Sequence, residues 1–202
     1  MGSDPEILSC AVDPHMLFHC QPAGVVVGKP VLANLAVKLA TGTEMAARFE
    51  RDSAGNARLE LRDPVSQTPL FALLRPSSER ADLMVLYESR AIFVRRWPVP
   101  QIASKWFFGF FQPEWTDEHQ ELAGHDARRV LLKGRTYALN TVRDAGECWI
   151  SEPLMMVLRE HVLNEDGIEE EWNITDIEEK PPAGDLLATP SDFRVVDPQR
   201  KQ

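Results

Sequence analysis

The chain has 202 residues and carries 31 Asp+Glu against 22 Lys+Arg, a formal charge of −9. Its 44% hydrophobic and 26% charged residues are ordinary globular values that exclude wholesale disorder, and the length is ample for one core. An acidic balance with no local basic patch argues against a nucleic-acid partner; three cysteines make no disulfide framework, and no stretch reaches the roughly 20 apolar residues of a membrane-spanning helix.

Residues 1–22 read as a tag or flexible amino-terminal segment. They lack a basic region followed by a continuous apolar run, so they do not read as a secretory signal. A cytoplasmic protein and one whose signal has been replaced both remain open. Cys10, Asp13, His15, His19 and Cys20 are zinc-competent side chains, but their spacing completes no paired module, so no metal is expected.

From residue 23 to 197 the pattern is that of one domain, followed by a short tail over 198–202. Val25 to Ala40 suits a helix after Pro30, with Leu32, Leu35, Ala36 and Leu39 on one stripe, and equally a strand through Leu35, Val37 and Leu39. Met45, Ala47 and Phe49 alternate with Glu44, Arg48 and Glu50, and Ala57, Leu59 and Leu61 with Arg58, Glu60 and Arg62. The Asp52–Asn56 loop between them holds Gly55, so the pair is a hairpin with one wet face. Strand-like pieces follow at Leu70–Leu74, Leu83–Tyr87 and Ala91–Trp97.

Gln101–Pro113 breaks this rhythm, placing Ile102, Trp106, Phe107 and Phe110 at helical spacing, as in a short aromatic helix laid on a sheet. Such a segment either plugs a core or lines a hydrophobic cavity. Beyond it, His125–Lys133 and Arg135–Arg143 flank Gly134, and Glu147–Ser151 follows Asp144-Ala145-Gly146. Leu154–Leu163 and Ile168–Ile177 flank Asn164-Glu165-Asp166-Gly167, another hairpin signature. The whole predicts a mainly β domain: an antiparallel meander whose sheet must curl, close or be covered, with the aromatic-rich helix laid across its concave face.

Chemistry-bearing residues are sparse. Within Glu114–Glu121, His119 and Glu121 share a strand face, and His125 follows, an arrangement suited to proton transfer or a metal if the groups converge. No nucleophile stands at a defined spacing, and no GxSxG, HExxH, phosphate-binding loop or GxGxxG occurs. Cys148 reads as a buried inert thiol and His161 as a surface histidine. Arg90, Arg95, Arg96 and Lys105 beside Trp97 and Trp106 suit an anionic lipid surface better than nucleic acid. Glu165–Glu179 is the wet face of a hairpin and lacks the twelve-residue calcium pattern.

Taken in order, Arg51-Asp52-Ser53-Ala54-Gly55-Asn56-Ala57-Arg58-Leu59-Glu60, Asp63-Pro64-Val65, Glu147-Cys148-Trp149-Ile150-Ser151 and Asp185-Leu186-Leu187-Ala188-Thr189-Pro190-Ser191-Asp192-Phe193-Arg194-Val195 resemble a family of uncharacterised, predicted-exported bacterial proteins. The resemblance implies a lipoprotein-carrier (LolA/LppX-like) half-barrel and a periplasmic or extracytoplasmic location. It implies a non-enzymatic envelope module that binds a lipid, acyl chain or lipoprotein, with no cofactor. It carries no catalytic residues; Asp52, Gly55, Trp149 and Pro190 are expected to be architectural. The expected apolar lining is Trp106, Phe107, Phe110, Phe111, Trp149 and Trp172. The alternatives are a sensing module with a filled core that meets an envelope protein partner, and an enzyme or metal site around His119 and His125.

Overall fold

The computed structural model describes residues 28–39, 41–77, 81–96, 111–136, 141–163 and 169–197. Every regular element among them is a strand: β1 (Val31–Lys38), β2 (Glu44–Arg51), β3 (Ala57–Arg62), β4 (Pro69–Arg75), β5 (Ala81–Leu86), β6 (Ala91–Arg96), β7 (Gln112–Leu122), β8 (His125–Thr136), β9 (Thr141–Ser151), β10 (Met156–Leu163), β11 (Glu169–Glu178) and β12 (Arg194–Val196). They form one sheet in the order β12-β6-β5-β4-β3-β2-β1-β11-β10-β9-β8-β7. Neighbours are antiparallel except β12, which runs parallel to β6. The sheet stays open, with β12 and β7 at its two ends.

The two-residue period explains the layering. In β1, Val31, Ala33, Leu35 and Val37 are buried while Asn34, Ala36 and Lys38 are exposed. Antiparallel pairing sets Leu35 opposite Ala47 and Ala33 opposite Phe49, then Phe49 opposite Leu59 and Leu59 opposite Leu73. One apolar face therefore continues from strand to strand, and its cluster reaches Val130 and Leu132 on β8, Cys148 and Ile150 on β9, and Trp172 on β11. Removing such side chains from water contributes about 1.5–3 kcal/mol each. Strands β4 to β6 are apolar on the second face too: Ala72, Leu74, Val85 and Ile92 form a smaller cluster there, covered by Leu187 and Phe193 of the carboxy-terminal segment.

The ambiguous segment before residue 40 is a strand, because its apolar residues meet a second strand on each side. In the Asp52 loop, Asp52 Oδ1 accepts from the amides of Ala54 and Asn56, each at 2.9 Å, and Gly55 takes φ +85°. The β7–β8 connection is a two-residue turn with Ala123 at φ +48° and Gly124 at +79°, the twist that tight hairpins need.

Several expectations are corrected. Gln112 and Pro113, read as the end of a helix, open β7, an eleven-residue strand; residues 101–110 lie outside the described residues. Gly134 is no turn but sits inside β8 opposite Arg143, where a Cβ would stand only 3.1 Å from that of Ala145. Asp144-Ala145-Gly146 likewise lies within β9. Leu132 pairs with Gly146 and Lys133 with Asp144, so Ala145 is the extra residue of a bulge. Turn chemistry was present in those residues, and pairing on both sides overrode it. The Asn164–Gly167 hairpin signature lies outside the described residues.

Candidate binding faces

The two faces of the sheet differ in chemistry, and the period-two register assigns each side chain to one of them. Cys148, Glu160 and Trp172 stand opposite one another on β9, β10 and β11, so they share the apolar face. Trp172 is 1% exposed, and its Nε1 is a buried donor with no acceptor among the described residues. Trp149, one residue from Cys148, faces the other way: it pairs with Arg159 and donates from Nε1 to Glu147 Oε1 at 3.1 Å. Both tryptophans nonetheless belong to the one buried apolar cluster. Phe111 packs against the apolar cluster, while Trp106, Phe107 and Phe110 lie outside the described residues.

Two cations set into the apolar face, Arg51 and Arg75, have fixed partners. Arg51 is fully buried and donates to Lys29 O at 3.0 Å, Met155 O at 3.1 Å and Leu154 O at 2.5 Å. It ties the end of β2 to the β9–β10 turn across the ends of β1 and β11. Burial lowers its pKa to about 10. Arg75, 5% exposed, makes a two-pronged pair with the fully buried Asp82, at 2.9 and 3.2 Å. These residues were missed in the sequence although the signal was there: Arg51 follows Ala47 and Phe49 in the apolar phase, and Arg75 follows Phe71 and Leu73. A charge in that phase marks a buried ion that needs fixed partners.

The second face is polar outside the β4–β6 patch. Arg129 bridges Glu118 on β7 and Glu147 on β9, and its hydrogen bonds to them raise its pKa. Burial pushes the Glu147 carboxyl up, but hydrogen bonds from Trp149 and Arg129 outweigh it and hold the group below its usual range. Glu60 joins Arg58 and Arg62 and accepts from Tyr87 Oη at 3.2 Å. A depression of about 390 Å³ crosses β11, β1 and β2 on this face, lined by Ala36, Lys38, Glu44, Ala46, Glu171 and Asn173 among others. Its lining is mixed, with Leu35, Val37, Met45 and Pro64 beside Lys38, Glu44 and Glu171, and it is open rather than enclosed as an acyl-chain pocket is.

The histidines do not converge. His119 is half exposed and lies 3.0 Å from Asp126, whereas His125 stands 3.8 Å from Glu179. Asp126, not the expected Glu121, is the carboxylate beside His119. Among the described residues no three His, Cys, Asp or Glu side chains gather as metal ligands; Cys10, His15, His19 and Cys20 lie outside them. The basic group is dispersed as well. Arg90 sits in the β5–β6 turn paired with Asp192, while Arg95 stands near the far end of β6 opposite Asp82; Trp97 and Lys105 lie outside the described residues.

No protein-family model matches the chain, and no curated protein matches it. Solved structures do. An uncharacterized conserved protein from Thermus thermophilus is 18% identical, with 96% of this chain and 98% of that one covered and a TM-score of 0.56. MucB is 17% identical over 86% of this chain and 62% of its own, with a TM-score of 0.51. The MucA/MucB complex of Pseudomonas aeruginosa matches at 17% identity over 83% of this chain and 58% of the matched one, with a TM-score of 0.52. The chain thus spans less than two thirds of those two matched chains. The class so defined is a fold that this chain shares with MucB and with the Thermus thermophilus protein. Within that class it is an open, mainly antiparallel sheet.

Proposed function

We propose that the protein is a non-enzymatic binding module of the cell envelope that takes a lipid or acyl chain against the apolar face of its sheet. What supports this is the apolar face itself: one continuous cluster from β4 to β8, buried within the chain, on a sheet that does not close. Each methylene taken from water onto such a surface contributes about 0.8 kcal/mol, so a short contact is enough for useful affinity. In this reading Phe111, Trp149 and Trp172, all packed in or against the apolar cluster, contribute to the lining with Trp106, Phe107 and Phe110. The half-barrel curvature and an extracytoplasmic location belong to the same proposal.

The test is organic extraction and mass spectrometry of gently purified protein, together with displacement of a fluorescent fatty acid. Stoichiometric lipid, or saturable displacement, is the expected result. Protein that is empty and fails to bind the fatty acid overturns the lipid reading. A second reading, a module whose client is a polypeptide, is favoured by the likeness to a structure of MucA bound to MucB; it would then stand in the first one's place.

A further inference from the structure

Beyond the apolar face, the carboxy-terminal segment carries an inference of its own. After β11, an interior strand, the chain passes through Pro181-Pro182-Ala183-Gly184 and travels to the end of the sheet where β12 lies against β6. Its seat there is made of four kinds of contact. Arg194 to Val196 run parallel to Ala91 to Phe93, with the Arg194 amide donating to Arg90 O at 3.0 Å. Phe193 meets the Tyr87 ring edge-on at 5.8 Å, and with Leu187 it covers Ala72, Leu74, Val85 and Ile92. Asp192 pairs with Arg90. Arg58 Nη1 donates to Ala188 O at 3.2 Å.

The seat is specific, but the hold is slight. The pairing is three residues long and parallel, the weaker geometry per residue. Val195 is 62% exposed, and both partners of the Arg90–Asp192 pair are at least 60% exposed, where an ion pair adds little. Gly184 at φ +120° next to two prolines gives a pivot rather than a continued strand. Such short terminal elements open well before the core does.

We infer that the β6 edge, with Tyr87, Arg90 and the Ala72–Leu74–Val85–Ile92 patch, is a peptide-binding site that the chain's own segment 185–196 fills in cis. The partner it fits is an extended segment of another protein bearing an acidic residue directly before an aromatic one and β-branched residues after it. Arg90 receives the acid, Tyr87 the aromatic edge, and Ala91 to Phe93 the backbone, a case of strand addition. The inference does not depend on what occupies the apolar face.

Its test uses the full chain and a fluorescent peptide of residues 185–197, followed by anisotropy. A short tether gives the resident segment an effective concentration in the millimolar range, so the wild-type chain binds the peptide weakly. The chain carrying Asp192→Ala and Phe193→Ala keeps the site and loosens its occupant; it binds the peptide at least tenfold more tightly. Adding Arg90→Glu abolishes that binding, and a peptide with Asp192→Arg restores it. A loosened chain of unchanged circular dichroism that binds no better than wild type overturns the inference. So does a concentration-dependent dimer of the wild-type chain in gel filtration, which assigns the site to a second copy. If the loosened chain fails to fold, hydrogen exchange on the wild type decides: amides of 193–196 exchange at least a hundredfold faster than those of β5, and equal protection overturns the inference.

Discussion

Replacing Arg51 by methionine tests how the β9–β10 turn is held to the sheet. The side chain keeps most of its volume and loses donors to three backbone carbonyls, those of Lys29, Leu154 and Met155. A hydrogen bond from a charged donor is worth about 1.5–3 kcal/mol, and leaving its acceptor dry costs as much. Against that gain stands the burial of the guanidinium, which lowers its pKa from 12.5 to about 10. At 1.36 kcal/mol per unit that shift corresponds to roughly 3 kcal/mol. This cost is fully present below pH 10, where the group is charged whether folded or unfolded, and is relieved as pH rises above that value. Methionine removes the cost along with the bonds, so the net loss comes to roughly 2–6 kcal/mol. In a chain of this size that lowers Tm by roughly 5–20 °C. Thermal unfolding followed by circular dichroism reads the shift, and hydrogen exchange places it at residues 152–158. A Tm within about 2 °C of wild type, with unchanged exchange there, would refute the account of Arg51 as the tie.

Three further substitutions test the polar network and the strand register. Glu60 is raised by burial, but its bonds to Arg58 and Arg62 prevail and hold its pKa below 4.5. Its contribution to stability is therefore complete above that value and is lost as pH falls below it through the folded pKa. Glu60→Gln should flatten the acid limb of a urea-midpoint profile between pH 3 and 7; an unchanged limb would mean that other carboxylates govern it. Gly146→Ala places a Cβ 2.1 Å from His161 O and 2.7 Å from Val162 Cα, at φ +142°. The loss should exceed about 2 kcal/mol. Gly124→Ala, in open space at φ +79°, should cost about 1 kcal/mol from the backbone alone. Equal losses in chemical denaturation would place the Gly146 effect in φ rather than in the approach of β10.

Local alternation was the legible part of the fold. Ala47 and Phe49, Leu59 and Leu61, and Trp172 and Ile174 all lie buried where a two-residue period puts them. The candidate site was less legible, because a face is a property of paired strands. Alternation puts the adjacent Cys148 and Trp149 on opposite sides, but only the register with Glu160 and Arg159 shows which side chains of the neighbouring strand share each side. His119 met Asp126, seven residues on, rather than Glu121, because the turn at Ala123-Gly124 folds β8 back on β7.

By itself the sequence determined the class of structure, a mainly β chain with one wet face, since side-chain period follows from strand geometry whatever the strand's neighbours. It also carried, unread, the charges in the apolar phase at Arg51 and Arg75. Tertiary structure alone decided the strand order, which places β11 beside β1 and sends β12 to β6, because pairing between distant segments depends on complementary faces and not on any local residue. It alone turned the glycines at 134 and 146 from apparent turns into close approaches between strands: at 146 the backbone of β10 leaves no room for a side chain, and at 134 the Ala145 side chain would have to give.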